Sequence, residues 1–103
     1  MIYEVRFSQR AEDDLAEVLS YIVERAGEQV ARRYVDTLVD YCMSFENFPH
    51  RGSRSDVRRG LRLVGFRRRA TIAFIVRNNR VVIVRIFHRG RKVDLKDLPS
   101  QAD

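Results

Sequence analysis

Apolar and polar residues alternate through the opening Ile2-Tyr3-Glu4-Val5-Arg6-Phe7, with Tyr3, Val5 and Phe7 on one side and Ile2, Glu4 and Arg6 on the other. This two-residue period predicts a strand with one apolar face. The period then changes. Ala11, Leu15, Val18, Leu19 and Ile22 recur at helical spacing, giving one apolar stripe. Ser8 stands where an N-cap accepts a backbone N–H. Glu12, Asp13 and Asp14 follow where the helix dipole favours negative charge, and Gly27 ends the helix. A second helix is predicted over 28–46, with Val30, Ala31, Tyr34, Leu38, Tyr41, Cys42 and Phe45 on one face. The short link through Gly27 makes the two an antiparallel hairpin. Tyr34, Tyr41, Phe45 and Phe48 are expected in the core, Cys42 as a buried thiol, and the acids of the hairpin on its solvated face.

Pro49 and Gly52 break the helical pattern, and a loop is predicted through Arg54-Ser55-Asp56-Val57-Arg58-Arg59-Gly60. The rest reads as β. Residues 61–66 (LRLVGF) form a strand in which Gly65 marks a bulge. Residues 70–76 (ATIAFIV) are nearly all apolar, as in a central strand buried on both faces. Asn78-Asn79 then form a tight turn, because Asn tolerates positive φ, and residues 81–87 (VVIVRIF) return. The predicted class is α+β, in the order β-α-α-β-β-β: an N-terminal helical hairpin packed on a small, mostly antiparallel sheet. Residues 1–98 form one domain. Residues 99–103 read as a flexible tail after a single helical turn at 93–98.

The 103 residues suffice for one hydrophobic core, and 45% apolar with 33% charged residues is a globular composition. No apolar run approaches the roughly 18 residues of a membrane span. The opening residues lack the pattern of a secretory leader, and the lone Cys42 permits no internal disulfide, so a reducing cytoplasm is the expected compartment. Charge is partitioned. Residues 1–50 carry a net −5, residues 51–92 a net +13 with Asp56 as the only acid, and residues 93–103 a net −2. Such asymmetry predicts a strongly positive surface and an acidic partner. No Cys or His pair has metal-ligand spacing, and no phosphate-binding glycine loop or serine-hydrolase motif is present; no cofactor is expected.

Four strings occur in order: VRFSQRAEDDLAEVLSYI (5–22), FPHRG (48–52), RRGLRLV (58–64) and IVRIFHRGRKVD (83–94). They resemble the opening strand and helix, the F-P-x-x-G loop, the G-L-R strand entry and the closing His-x-x-Arg strand of the ParE/RelE superfamily of toxins from type II toxin–antitoxin pairs. The resemblance spans nearly the whole chain. It implies a cytoplasmic toxin in a hetero-oligomer with a cognate antitoxin, whose acidic segment folds on binding. RelE-like members cleave mRNA on the ribosome, whereas ParE-like members poison DNA gyrase.

Cleavage of RNA needs a base, an acid and cationic stabilisers. Cations abound here, but all four tyrosines precede residue 42, whereas RelE-like toxins often carry one near the C-terminus. Alignment to a RelE-like Y-R-I-x-Y strand places Thr71 where those toxins have Arg; Arg69 replaces it only if the strand begins that early. These departures favour the ParE-like branch and a non-enzymatic gyrase inhibitor, with no catalytic residue. The alternative is a ribosome-dependent mRNA interferase using His88, Arg69 and Arg91. A sequence-blind nucleic-acid binder and a decayed toxin that only binds antitoxin are further readings. The expected target-binding surface comprises Arg58, Arg59, Arg62, Arg67, Arg68, Arg69, Arg89, Arg91 and Lys92; a solvated, self-repelling sheet edge is the plain alternative. Arg85, inside an apolar strand, is expected to pair with Glu4 or a helix acid.

Overall fold

The structure is a computed structural model and describes residues 2–88. Its elements run β1 (Glu4–Phe7), α1 (Gln9–Ala26), α2 (Glu28–Met43), a 3₁₀ turn (Ser44–Glu46), β2 (Ser53–Arg54), β3 (Leu61–Phe66), β4 (Ala70–Arg77) and β5 (Arg80–His88). The five strands form one sheet in the order β1-β5-β4-β3-β2. Only β1 and β5 are parallel; the other three pairs are antiparallel. The predicted helical hairpin on a mostly antiparallel sheet is therefore present. One strand is added, the two-residue β2, inside what the sequence presents as loop.

Ser8 caps α1 as its side chain predicts, accepting from the Ala11 N–H at 3.1 Å. The link between the helices is Gly27 alone. Its φ of 91° lies in the region that costs glycine least, and this lets the chain reverse in one residue. Buried positions on α1 are Ala11, Asp14, Val18 and Ile22; those on α2 are Ala31, Tyr34, Leu38 and Cys42. Both sets have helical 3–4 spacing. Leu15 and Leu19 flank the α1 stripe, and the place beside them is held by a carboxylate. Val30 is exposed at the edge of the α2 stripe. The α-helix ends at Met43, and the last predicted turn tightens to 3₁₀, which still sends Phe45 inward.

Two apolar clusters sandwich the sheet. The helix side holds Phe66, Ala70, Ile72, Phe74, Val81, Ile83 and Ile86 against Leu38, Cys42 and Phe45. The opposite side holds Leu61, Ala73, Ile75, Val82, Val84 and Phe87. The bulge is not at Gly65, which pairs regularly with Thr71. It lies on β5, where the register steps from Ala73↔Arg85 to Phe74↔Ile83 and Val84 has no opposite residue. The extra residue reverses the alternation, so Val81 and Ile83 face the helices before it and Ile86 after it. Phe48 is 63% exposed rather than core. It follows the 3₁₀ turn, where helical periodicity no longer applies, and Pro49 is buried instead. Gly52 has a φ of 67°, and a Cβ there would lie 2.0 Å from the Leu63 carbonyl oxygen, so only glycine lets this loop pass β3.

Asp14 departs furthest from expectation. It is 1% exposed, as is fitting for a core side chain, and it faces Arg85, 4% exposed. The Asp14 carboxylate accepts from Arg85 Nε at 2.8 Å and Nη2 at 3.2 Å, and from the Ile86 backbone N–H at 2.8 Å. Arg85 thus pairs with a helix acid, and that acid is not on the solvated face. Removing one partner of a buried ion pair strands the other charge. Asp14→Ala is expected to lower the unfolding free energy by about 3–5 kcal/mol in urea titrations. Asp14→Leu/Arg85→Met should recover part of the loss and leave the Ile86 N–H as the residual defect. A loss of about 1 kcal/mol or less, typical of an exposed ion pair, would show the pair to be dispensable.

Candidate target-binding interface

The candidate cations fall at the two ends of the sheet. At one end the β3–β4 turn carries Arg67, Arg68 and Arg69, all exposed. Arg69 N–H closes the turn on the Phe66 carbonyl at 2.9 Å. Arg67 and Arg68 have φ of 50° and 56°, a left-handed conformation that costs a non-glycine residue roughly 1–2 kcal/mol. β4 begins only at Ala70, so Arg69 belongs to the turn and not to the strand position that a RelE-like arginine would occupy. Ala70 lies opposite His88, which brings the end of β5 beside the turn. Arg89, Arg91 and Lys92 lie outside the described residues.

Beneath the turn is an aromatic cluster. The Tyr34 ring meets Phe66 and His88 edge-on, at centroid distances of 5.8 and 5.7 Å. Tyr21 meets His88 at 5.4 Å, Tyr41 meets Phe66 at 5.2 Å, and the Arg67 guanidinium carbon stands 5.2 Å from the Phe66 ring. His88 is 8% exposed, its ring set between two tyrosines. A cavity of about 200 Å³ adjoins it, lined by Glu17, Val18, Tyr21 and His88. Burial raises the Tyr34 phenol above its ordinary 10.0, and the charges of Arg69 and Arg67 oppose that rise without reversing it. The Tyr34 hydroxyl is buried and finds no hydrogen-bond partner among the described residues.

The remaining candidates sit at the far end of β3, about 17–20 Å away by strand length. Arg59 lines an open cleft of about 370 Å³ with His50, Arg54, Ser55, Asp56 and Arg62. Arg58 precedes it, its carbonyl accepting from the Leu61 N–H at 3.1 Å. Arg62 is engaged internally. Its Nε donates to the Arg51 carbonyl at 2.9 Å, and its Nη2 to the His50 and Gly52 carbonyls at 3.1 and 3.4 Å. It pins the loop to β3. Arg80 and Arg6 both contact Glu4, at 3.2 Å each; hydrogen bonding to Arg6, its charge, and the bond to Arg80 hold the Glu4 carboxyl below its usual range. The structure therefore joins Arg67, Arg68 and Arg69 and separates them from Arg58, Arg59 and Arg62. Among the described residues no cluster of three His, Cys, Asp or Glu could hold a metal ion, and no helix is long and apolar enough to cross a membrane.

Residues 5–93 match the sequence profile of the family described as the ParE toxin of type II toxin–antitoxin system, parDE. The chain belongs to this family. The superfamily resemblance and the fold it implies are thereby upheld, and the protein is a toxin of the type II toxin–antitoxin class. The structure is similar to that of a chromosomal ParDE toxin–antitoxin system from P. aeruginosa, with a TM-score of 0.75 and 19% identity over 84% of this chain and 96% of that one. It is also similar to a chain of the RelBE2 toxin–antitoxin complex from Mycobacterium tuberculosis, with a TM-score of 0.65 and 19% identity over 86% and 100% of the two chains. A conserved hypothetical protein from Helicobacter pylori has a TM-score of 0.54 at 9% identity over 87% and 98%. A search of curated proteins finds no match.

In this ParE-family chain, Tyr21 and Tyr34 were not legible as neighbours of His88. Tyr34 reads as helical core and Tyr21 stands beside the α1 stripe, and only the antiparallel hairpin and the β5 bulge together bring them against the strand end. The arrangement positions cations over a packed aromatic floor. Tyr34 is not poised as a base, since its proton is held more tightly than usual. Tyr34→Phe removes a buried hydroxyl that has no partner among the described residues and is expected to stabilise the fold by about 1 kcal/mol. The unfolded phenol ionises near 10.0 and the folded one above it. Stability present below that pH is therefore lost as pH rises from 10.0 through the folded value. Urea midpoints followed over about pH 9 to 11 should fall more steeply for the parent than for Tyr34→Phe; parallel curves would contradict the assignment.

Proposed function

We propose that this toxin inhibits DNA gyrase by binding, without chemistry of its own, and that a cognate antitoxin with an acidic segment neutralises it in a cytoplasmic hetero-oligomer. The family match over 5–93 carries this reading. The site supports it: the arginines of the β3–β4 turn are exposed, while the histidine beside them is buried and the other, His50, lies at the far end of the sheet. His88 is enclosed by rings, Tyr34 holds its proton, and the Cys42 thiol is buried with its pKa pushed up to about 12. Arginine stays charged and donates only, so it can bind an anion but not act as a base. The relatives whose structures this chain resembles are described as parts of toxin–antitoxin systems, which supports the antitoxin as partner. An acidic segment approaching exposed arginines is steered by charge and should bind less tightly as salt rises.

The test is DNA supercoiling by purified gyrase titrated with the toxin, scored for supercoils and for trapped double-strand breaks. Expected is inhibition that disappears when the antitoxin is added, and that persists in His88→Ala. Absence of inhibition by folded toxin, together with ribosome-dependent mRNA cuts in translating extract that His88→Ala abolishes, would replace this reading by the mRNA interferase.

A further inference from the structure

We propose that the β3–β4 turn is a nucleic-acid contact in which Arg67, Arg68 and Arg69 engage backbone phosphates of DNA or RNA. The inference goes beyond gyrase inhibition and does not depend on it. The molecule contains its own control. Two turns in one sheet hold consecutive residues at positive φ: Asn78 and Asn79 at 52° and 61°, Arg67 and Arg68 at 50° and 56°. The first uses a residue type that tolerates this backbone; the second uses one that does not. Asparagine would make the second turn equally well, so the strain is held where the side chains themselves are wanted.

Those side chains carry no ion pair among the described residues, Arg67 alone standing over a ring, that of Phe66. Arg6, Arg25, Arg32, Arg80 and Arg85 each stand within ion-pair distance of a carboxylate, whereas Arg67, Arg68 and Arg69 have no such partner among the described residues. They are also preorganised. The Arg69–Phe66 hydrogen bond closes the turn, and Tyr34 and Tyr41 fix Phe66 beneath it. The turn presents charge alone: none of the exposed large apolar residues lies on it, and although arginine also anchors protein interfaces, three adjacent guanidinium groups without an exposed apolar neighbour favour phosphate. A polar, arginine-rich projection suits nucleic acid, and the planar guanidinium matches phosphate geometry.

The experiment is fluorescence anisotropy of the full chain with a labelled DNA duplex and an RNA hairpin of equal length, over a salt series, with thermal melts of every variant. Arg67→Gln/Arg68→Gln is expected to weaken binding about tenfold and to reduce the log–log salt slope by about 2. Arg54→Gln/Arg77→Gln removes the same charge from the other end of the sheet and should weaken binding by less than about threefold. Arg67→Asn/Arg68→Gly should lose binding like the glutamine pair while melting about 4 °C higher, because it relieves the turn. DNA or RNA preference identifies the source of the phosphate. Equal losses from the two arginine pairs, or an asparagine–glycine turn no more stable than the parent, would overturn the proposal. So would binding to a polyglutamate peptide with none to either nucleic acid, which would assign the turn to an acidic protein.

Discussion

Both layers of the fold depend on one buried carboxylate. β1 pairs with β5 only as far as Ile83, so beyond that point the outer edge of β5 must find other partners. α1 supplies them. The Ser8 hydroxyl donates to the Val84 carbonyl at 2.9 Å, and Asp14 accepts the Ile86 N–H. The helix therefore continues the sheet where the strand stops. A negative charge is tolerated this deep because Arg85 meets it with two nitrogens and the backbone with a third, so little of its hydrogen-bonding capacity is wasted. The β5 bulge and Asp14 are one device. The bulge turns Arg85 and the Ile86 N–H toward the same carboxylate, and the carboxylate holds the irregular edge in place.

Once Asp14 fixes α1 along β5, the next turns of that helix have no freedom left. Val18 and Ile22 enter the core, and Tyr21 meets His88. Gly27 reverses the chain within one residue, so α2 lies antiparallel and delivers Tyr34 to the other side of the same imidazole. Tyr34 and Tyr41 then fix Phe66, the last residue of β3, and Phe66 anchors the arginine turn. A chain of packed contacts runs from the buried ion pair to the turn that carries the exposed cations.

Much of this was legible in the sequence where one period governed one element. The alternation in 2–7, the stripes of 11–22 and 30–45, the Ser8 cap, the Gly27 reversal and the Asn78-Asn79 turn all follow from local backbone chemistry. What escaped involved two elements at once. Asp14 reads as a dipole-compensating acid from its own helix, and only β5 reveals it as an edge cap. Gly65 reads as the bulge because glycine is its usual sign, yet the irregularity lies on β5 at Val84, beside the Arg85 that meets a carboxylate distant in sequence. The cations read as one surface because residues 51–92 concentrate the positive charge; the length of β3 divides those of the described residues. Phe48 reads as core because it is aromatic, but it lies just past the end of the period that would have turned it inward.

The way this protein uses its ionisable groups bears on what it can do. Asp14 and Arg85 neutralise each other inside, Glu4 is shared by Arg6 and Arg80, Arg62 holds a loop, Cys42 is protonated in the core, and His88 and Tyr34 are packed ring against ring. Of the two histidines, His88 is largely enclosed at the end of β5, and His50 lies exposed in the cleft at the far end of the sheet. What remains exposed and uncommitted at the turn is arginine, which keeps its charge at any physiological pH. A surface of that kind gains free energy from holding an anion and gains none from moving a proton. The distribution of charge therefore divides the arginines into those that hold the fold together, such as Arg85 and Arg62, and those of the turn, which face solvent.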